Sequence, residues 1–148
     1  MTPGDPAFSG AAEVAVVEEK AERVVARARV LLVEDEADIR ELIRYCLEQG
    51  GFEVEEAGDG AEALEKLHVF APNLIVLDLM LPGMLGVEVC QRLRARVSTA
   101  HLPILVVSAK SNASDKALAL AMGADDYVTK PFSPRDLLTR AIALLEQR

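Results

Sequence analysis

Five polar side chains each follow the end of a predicted strand, where side chains of these types could do chemistry together. They are Glu34, Asp35, Asp78, Ser108 and Lys130. The carboxyl ends of parallel strands meet at one edge of a sheet, which is where open α/β proteins place their sites. We therefore expect the three carboxylates, the hydroxyl and the ammonium group to share one shallow crevice.

The chemistry of such a crevice follows from its charges. Three neighbouring carboxylates repel each other unless a cation lies between them. A hard divalent cation with oxygen ligands meets that need, and Mg²⁺ (or Mn²⁺) fits best because it accepts few carboxylates and keeps its waters. Lys130 can pair with Asp78 or with an incoming anion, to which Ser108 offers a donor. Asp78 is then a carboxylate nucleophile facing a space suited to a phosphoryl group.

The elements that must position these groups alternate along the chain. Strands are predicted at 30–33, 52–57, 74–77, 104–107 and 126–129. Apolar residues at helical spacing lie between and after them, at 39–47, 61–67, 87–97, 117–121 and 137–145. The three longest apolar runs are typical of strands that are buried on both faces. The alternation predicts an α/β fold, a doubly wound parallel sheet with helices on both faces.

Composition excludes several classes of protein. The chain has 148 residues, 16 basic against 24 acidic, and a net charge of −8. That balance disfavours direct binding to nucleic acid, which depends on Lys and Arg neutralising phosphates. No apolar run approaches the roughly 20 residues that span a membrane. Two cysteines cannot build a disulfide framework, and the first residues lack a secretory signal, so we expect a cytoplasmic protein.

The two ends of the chain differ in character. Residues 1–28 are predicted to form an N-terminal tail, with a charged, Ala- and Val-rich helix at 13–28. Residues 29–148 are predicted to form one domain. Because the sequence ends just after the fifth predicted helix, we expect no second folded domain within it.

Residues 29–147 closely resemble the receiver domain of bacterial two-component response regulators, and especially receivers of the OmpR/PhoB type. The matching stretches are VLLVEDE at 30–36, LDLMLPG at 77–83, VSAK at 107–110 and GADDYVTKPF at 123–132. The resemblance implies a flavodoxin-like fold: a five-stranded parallel sheet with strand order 2-1-3-4-5 and five helices. It also implies a phosphoacceptor switch whose partner is a histidine kinase or a phosphotransfer protein.

The resemblance assigns roles in the acidic crevice. Asp78 is the phosphoacceptor. Asp35 and Asp78 are direct ligands of Mg²⁺, together with the backbone carbonyl of Met80. Glu34 holds the metal through water.

Other roles concern the response to phosphorylation. Ser108 and Tyr127 resemble the switch pair, in which the hydroxyl moves to the phosphoryl group and the ring turns inward. Lys130 pairs with the phosphoryl group, and the Lys130–Pro131 bond is implied to be cis. Leu85 departs from the family pattern, in which Asp is commoner; we expect it to alter a loop or a partner contact without loss of phosphorylation.

The last third of the chain resembles receivers that form homodimers through the fourth helix, fifth strand and fifth helix. Lys116 with Asp136, and Asp126 with Arg140, match two charged pairs that cross such an interface. A third pair is missing, since Ala121 and Ile142 occupy its places. These charges are equally typical of a solvated face, where ion pairs contribute little to stability. We expect the switch to control dimerisation, another protein, or an output module outside this sequence.

Two other functions remain open at this point. One is a protein-docking module that works without phosphorylation, although the acidic cluster and the lysine are intact. The other is a phosphohydrolase with an aspartyl nucleophile. Such enzymes of the haloacid-dehalogenase type need a second Asp two residues after the first, and here Met80 stands there, so the proton-transfer group is missing. We expect a phosphoacceptor rather than an enzyme that turns over an external substrate.

Overall fold

The computed structural model describes residues 28–147. Its strands are β1 (Arg29–Val33), β2 (Glu53–Ala57), β3 (Leu74–Leu77), β4 (Ile104–Ser108) and β5 (Asp126–Thr129). Its helices are α1 (Ala37–Gln49), α2 (Gly60–Phe70), α3 (Gly86–Ala95), α4 (Ala113–Ala121) and α5 (Pro134–Glu146). The helix predicted at 13–28 lies outside the described residues, except for Ala28, which is not helical.

The five strands form one parallel sheet in the order β2-β1-β3-β4-β5. The predicted flavodoxin-like topology is therefore confirmed. β1 lies inside the sheet, with Val33 opposite Ala57 of β2 and Leu77 of β3. The ends of β1 and β3 thus stand side by side, which places the residues that follow them next to each other.

Two apolar cores lie on opposite faces of the sheet. One packs Ile43 and Leu47 of α1 and Leu137 of α5 against alternate residues of the strands. The other packs α2, α3 and α4 against the remaining strand residues. The continuous apolar runs of β1, β3 and β4 feed both cores, as strands buried on both faces must. Cys46 and Cys90 are buried free thiols, and burial raises the pKa of Cys90 to about 11.

Helix starts follow from local sequence. Asp59, Asn112 and Ser133 each accept a hydrogen bond from the backbone N–H three residues on, which caps α2, α4 and α5. Pro134 in the first turn of α5 needs no N–H partner there. These caps fix where each helix leaves the loop that precedes it.

Two predicted helix faces were wrong in detail. α3 ends at Ala95 because Arg96 is extended, so Val97 is 95% exposed instead of packed. In α4 the buried residue is Ala119, whereas Leu118 is half exposed. Ile142, which occupies one of the places of the missing third pair, lies in the core. Within residues 28–147, no helix has the length and hydropathy needed to cross a membrane.

Candidate functional site

Three carboxylates converge where β1 and β3 end. The backbone N–H of Glu34 donates to the Ala57 carbonyl at 3.0 Å, and the N–H of Asp78 donates to the Val33 carbonyl at 3.0 Å. These bonds extend the sheet ladder by one residue and fix the backbone that carries both side chains. One carboxylate oxygen from each of Glu34, Asp35 and Asp78 lies within 4.8 Å of the other two. The predicted acidic crevice is present.

Lys130 joins this cluster from β5. Its backbone N–H donates to the carbonyl of Ser108, the last residue of β4, at 2.8 Å, which carries the ladder one residue past the end of β5. Its ammonium Nζ donates to Glu34 Oε1 at 2.6 Å and to Asp78 Oδ2 at 3.1 Å. The following bond, Lys130–Pro131, is cis, as the resemblance implied. The lysine and the proposed acceptor are therefore in direct contact.

Burial and charge shift the proton affinities of this cluster. Glu34 is 1% exposed and Asp78 is 5% exposed, whereas Asp35 faces solvent. Burial raises the pKa of Glu34 above its ordinary value, and the charge of Asp78 adds to this, against the opposing hydrogen bond from Lys130. Burial alone would lower the pKa of Lys130, but its hydrogen bonds to Glu34 and Asp78 raise it. The ammonium form is thus held beside the carboxylates.

The donor set fits a hard divalent cation. All three converging side chains offer carboxylate oxygens, and one of them, Asp35, opens to water. Asp78 Oδ1 accepts the Met80 N–H at 3.1 Å, which holds the backbone of residue 80 beside the cluster. Mg²⁺ prefers such sites, with one or two carboxylates and several retained waters. The predicted ligand role of the Met80 carbonyl stays a prediction.

Ser108 and Tyr127 occupy neighbouring positions behind the crevice. Ser108 is fully buried, and its hydroxyl oxygen accepts the Lys110 N–H at 3.2 Å. The Tyr127 ring is buried, and its hydroxyl donates to the Lys110 carbonyl at 2.5 Å. Burial raises the pKa of Tyr127. Both residues of the predicted switch pair therefore contact one segment, the start of the β4–α4 loop, and their switching role stays a prediction.

The charges expected at a dimer face are engaged within the chain. Arg140 Nη1 lies 2.9 Å from Asp126, and its Nε lies 3.1 Å from Asp136. Lys116 Nζ lies 5.8 Å from the centre of the Tyr127 ring. The predicted pairs between subunits stay a prediction, because in a single chain Arg140 holds both acids.

Two residues near the site were missed in the sequence. Arg40 of α1 donates from Nη1 to the carbonyls of Glu34 at 2.8 Å and Asp35 at 3.3 Å. Its signal was a cation one helical turn beyond the acidic loop. Gly86 begins α3 against the backbone of Asp78, since a Cβ there would lie 2.4 Å from the Asp78 carbonyl oxygen. Its signal was a glycine directly after Leu85, the residue that departs from the family pattern.

Comparison with known proteins decides the family. A model of the response regulator receiver domain matches residues 30–142. The chain belongs to the family of response regulator receiver domains. It is 48% identical over 119 residues to the alkaline phosphatase synthesis transcriptional regulatory protein PhoP of Bacillus subtilis, covering 80% of this chain and 49% of that protein. It is 45% identical over 119 residues to the phosphate regulon transcriptional regulatory protein PhoB of Rhizobium meliloti, covering 80% and 52%.

Solved structures agree with this. The chemotaxis response regulator CheY4 of Vibrio cholerae matches with a TM-score of 0.75 and 33% identity, over 80% of this chain and 98% of that one. The receiver domain of the Francisella response regulator 1452 matches with a TM-score of 0.76 and 31% identity, over 82% and 98%. The receiver domain spans about half the length of the curated relatives it matches.

Membership brings the general properties of receiver domains. They bind Mg²⁺ at an acidic pocket, and the cluster of Glu34, Asp35 and Asp78 is such a pocket. They interact with histidine kinases or phosphotransfer proteins. They are signalling modules rather than enzymes that turn over a substrate.

Proposed function

We propose that this receiver, within residues 29–148, accepts a phosphoryl group on Asp78 from the phosphohistidine of a histidine kinase or phosphotransfer protein. The observation that carries the proposal is the position of the Asp78 carboxylate, which contacts the Lys130 ammonium at 3.1 Å and lies beside the carboxylates of Glu34 and Asp35. One nucleophile is thus surrounded by the charges that phosphoryl transfer needs. In this proposal the exchange takes place in the cytoplasm.

The transfer itself needs few groups. An oxygen of Asp78 attacks phosphorus while the phosphorus–nitrogen bond of the phosphohistidine breaks, and the imidazole nitrogen keeps that electron pair. The product is an acyl phosphate on Asp78 and a free histidine on the donor. Lys130 is within reach of the new phosphoryl oxygens, where its charge stabilises the product. Attack of water on the same phosphorus later returns the carboxylate and inorganic phosphate, so the group is lost without an external substrate.

The metal would be held by residues already in place. Asp35, Asp78 and the Met80 carbonyl bind Mg²⁺ or Mn²⁺ directly in this proposal, and Glu34 binds through water. When bound, the cation supplies positive charge to the transferring oxygens and offsets the repulsion among the carboxylates. Lys130 supplies a second positive charge on the side of Asp78 Oδ2, the oxygen it contacts.

The signal leaves through the face formed by α4, β5 and α5. Ser108 and Tyr127 respond to the phosphoryl group, since both contact Lys110 at the start of the loop that leads into α4. A change there biases a two-state element, which is how a local charge produces a distant response. We propose that Lys116, Asp126, Asp136 and Arg140 then bind a second copy, another protein or an output module. This chain itself does not contact nucleic acid in the proposal.

The test is intact mass after incubation with Mg²⁺ and acetyl phosphate, repeated with a phosphorylated histidine kinase as donor. We expect wild type to gain one phosphoryl group and Asp78→Asn to gain none. Asp38→Asn is the matched control, because it removes an exposed carboxylate four residues beyond Glu34. Light scattering on the same samples reads out dimerisation.

Each outcome separates the alternatives. Phosphorylation of Asp78→Asn would place the acceptor elsewhere. No phosphorylation of folded wild type from either donor would overturn the proposal in favour of a docking module that works unphosphorylated. Continuous release of phosphate from an external phosphoester would instead indicate the phosphohydrolase.

A further inference from the structure

Arg40 lies beneath the acidic loop and contacts its backbone rather than its carboxylates. Nη1 donates to the Glu34 carbonyl at 2.8 Å and to the Asp35 carbonyl at 3.3 Å. The guanidinium is held from the other side by Glu56 of β2, whose Oε2 lies 3.7 Å from Arg40 Nε. Its side chain is only 25% exposed. A long, mobile side chain is thus fixed between the sheet and the loop.

These contacts set the direction of the two peptide groups in the loop. The Glu34 N–H is bound to the Ala57 carbonyl, and the Glu36 N–H donates to Glu34 Oε2 at 3.2 Å. With the carbonyls of Glu34 and Asp35 also bound to Arg40, the peptide planes on both sides of Asp35 are constrained. A peptide rotation here would turn a carboxylate away from Asp78.

We propose that Arg40 is a positioning residue for the divalent cation: it turns the Glu34 and Asp35 carbonyls inward to α1, so that both carboxylates stay directed at Asp78. The inference rests on the proposed function, since it assumes that this cluster is the metal site. Lys130 differs in kind, because its ammonium contacts two of the carboxylates themselves. Arg40 leaves every carboxylate oxygen available to a cation.

Loss of the Arg40 charge and loss of its hydrogen bonds are expected to change the Mg²⁺ affinity in opposite directions. Arg40 is a cation near a cation site, so loss of its charge alone would strengthen Mg²⁺ binding by reducing repulsion. Loss of its hydrogen bonds frees the loop and weakens binding. Outer partners of metal ligands are typically worth about 10- to 100-fold in metal affinity. The sign of the change therefore distinguishes a positioning residue from a nearby charge.

The experiment is a MgCl₂ titration of the ¹⁵N-labelled full chain, followed by the amide shifts of residues 34–36 and 78–80 in NMR spectra. We expect Arg40→Gln to bind Mg²⁺ about tenfold more weakly than wild type. Arg44→Gln is the matched control. Arg44 lies one turn further along α1 and pairs with Glu48 and Glu56. Its substitution removes the same charge as Arg40→Gln without removing a hydrogen bond to the acidic loop. We expect its affinity to equal or slightly exceed that of wild type.

Arg40→Lys separates charge from geometry and serves if Arg40→Gln fails to fold, which the same spectra show. A shorter point charge does not reproduce the guanidinium contacts, so we expect weaker binding here too. If folded Arg40→Gln or Arg40→Lys binds Mg²⁺ as tightly as wild type or more tightly, the inference about Arg40 is overturned. The proposal that Asp78 is phosphorylated is not affected by that result. Failure of wild type to bind Mg²⁺ overturns both the inference and the proposed metal site.

Discussion

The two ends of the parallel sheet hold their charges in different ways. At the carboxyl ends of the strands, three carboxylates within 4.8 Å of one another share one ammonium group, that of Lys130. At the amino ends, one guanidinium uses all five of its N–H donors. Arg94 of α3 donates to the carbonyls of Ala100, Leu102 and Gly123 and to Asp125 Oδ2, all at 2.6–3.1 Å.

The Arg94 cluster connects parts of the fold, whereas the carboxylate cluster keeps unbalanced charge. Asp125 Oδ2 also accepts the Ile104 N–H at 2.8 Å, so the Arg94 cluster ties α3 to the loops that precede β4 and β5. Every N–H of the Arg94 guanidinium has a partner, which is how buried polar groups avoid a cost in stability. The carboxylate cluster leaves negative charge in excess, and that excess is available to a cation. Stability and binding are therefore placed at opposite ends.

Loss of Arg94 is expected to have the largest effect on stability. Arg94→Met keeps much of the apolar stem but removes the donor to three carbonyls and leaves Asp125 with only the Ile104 N–H. Removal of one partner leaves the other hydrogen-bonding groups desolvated and unpaired, which costs more stability than the hydrogen bonds contribute on balance. We therefore expect the free energy of unfolding to fall by about 3 kcal/mol. Urea denaturation measures it.

Arg92→Met is the control for Arg94, because Arg92 lies exposed on the same helix. We expect its free energy of unfolding to stay within about 0.5 kcal/mol of wild type. Equal stability of Arg94→Met and Arg92→Met would remove the contrast between the two ends, since the saturated network would then contribute nothing.

The two ends also differ in how far the sequence could predict them. Parallel strands bring their carboxyl ends together by rule, so Glu34, Asp78 and Lys130 could be placed from their positions after apolar runs. No such rule applies to Arg94, whose acceptors lie on loops without a repeating pattern. The short helix α4 was also misread, because residues 117–121 are Ala or Leu throughout and no periodicity shows which one, Ala119, is buried.

Alanine substitutions of one glycine at each end of the sheet are expected to have the next largest effects on stability. Gly123 has φ +122°, and a Cβ there would lie 2.7 Å from Arg94 Cγ. Gly83, near the carboxylate cluster, has φ +76° with open space around it. We expect Gly123→Ala to lose about 2 kcal/mol, from both backbone strain and displacement of Arg94. Gly83→Ala should lose about 1 kcal/mol, from the backbone alone.

Thermal and urea unfolding of both variants measure these losses. The double variant Gly123→Ala with Arg94→Met tests whether the two effects share one cause. We expect it to lose less than the sum of the single losses, because residues in contact are not additive. Full additivity would mean that the Arg94 side chain does not resist the added methyl group.

The smallest expected change has the opposite sign and comes from the carboxylate end. Asp35 is exposed, and its carboxylate adds repulsion to Glu34 and Asp78. Without metal, Asp35→Asn should therefore raise the free energy of unfolding by about 1 kcal/mol, the scale of two like charges about 4 Å apart near water. Urea denaturation in EDTA measures this. Glu36→Gln, which removes the adjacent exposed charge, is the control and should change little.

Added Mg²⁺ completes the test of Asp35, because a ligand that binds the folded state stabilises it. Wild type should gain more stability from Mg²⁺ than Asp35→Asn does. The difference between their free energies of unfolding should therefore shrink or change sign as the cation is added. If Asp35→Asn were less stable than wild type in EDTA, the carboxylates would be stabilising without a cation. The charges at the carboxyl ends of the strands would then be balanced like those around Arg94, and the two ends of the sheet would not differ in this respect.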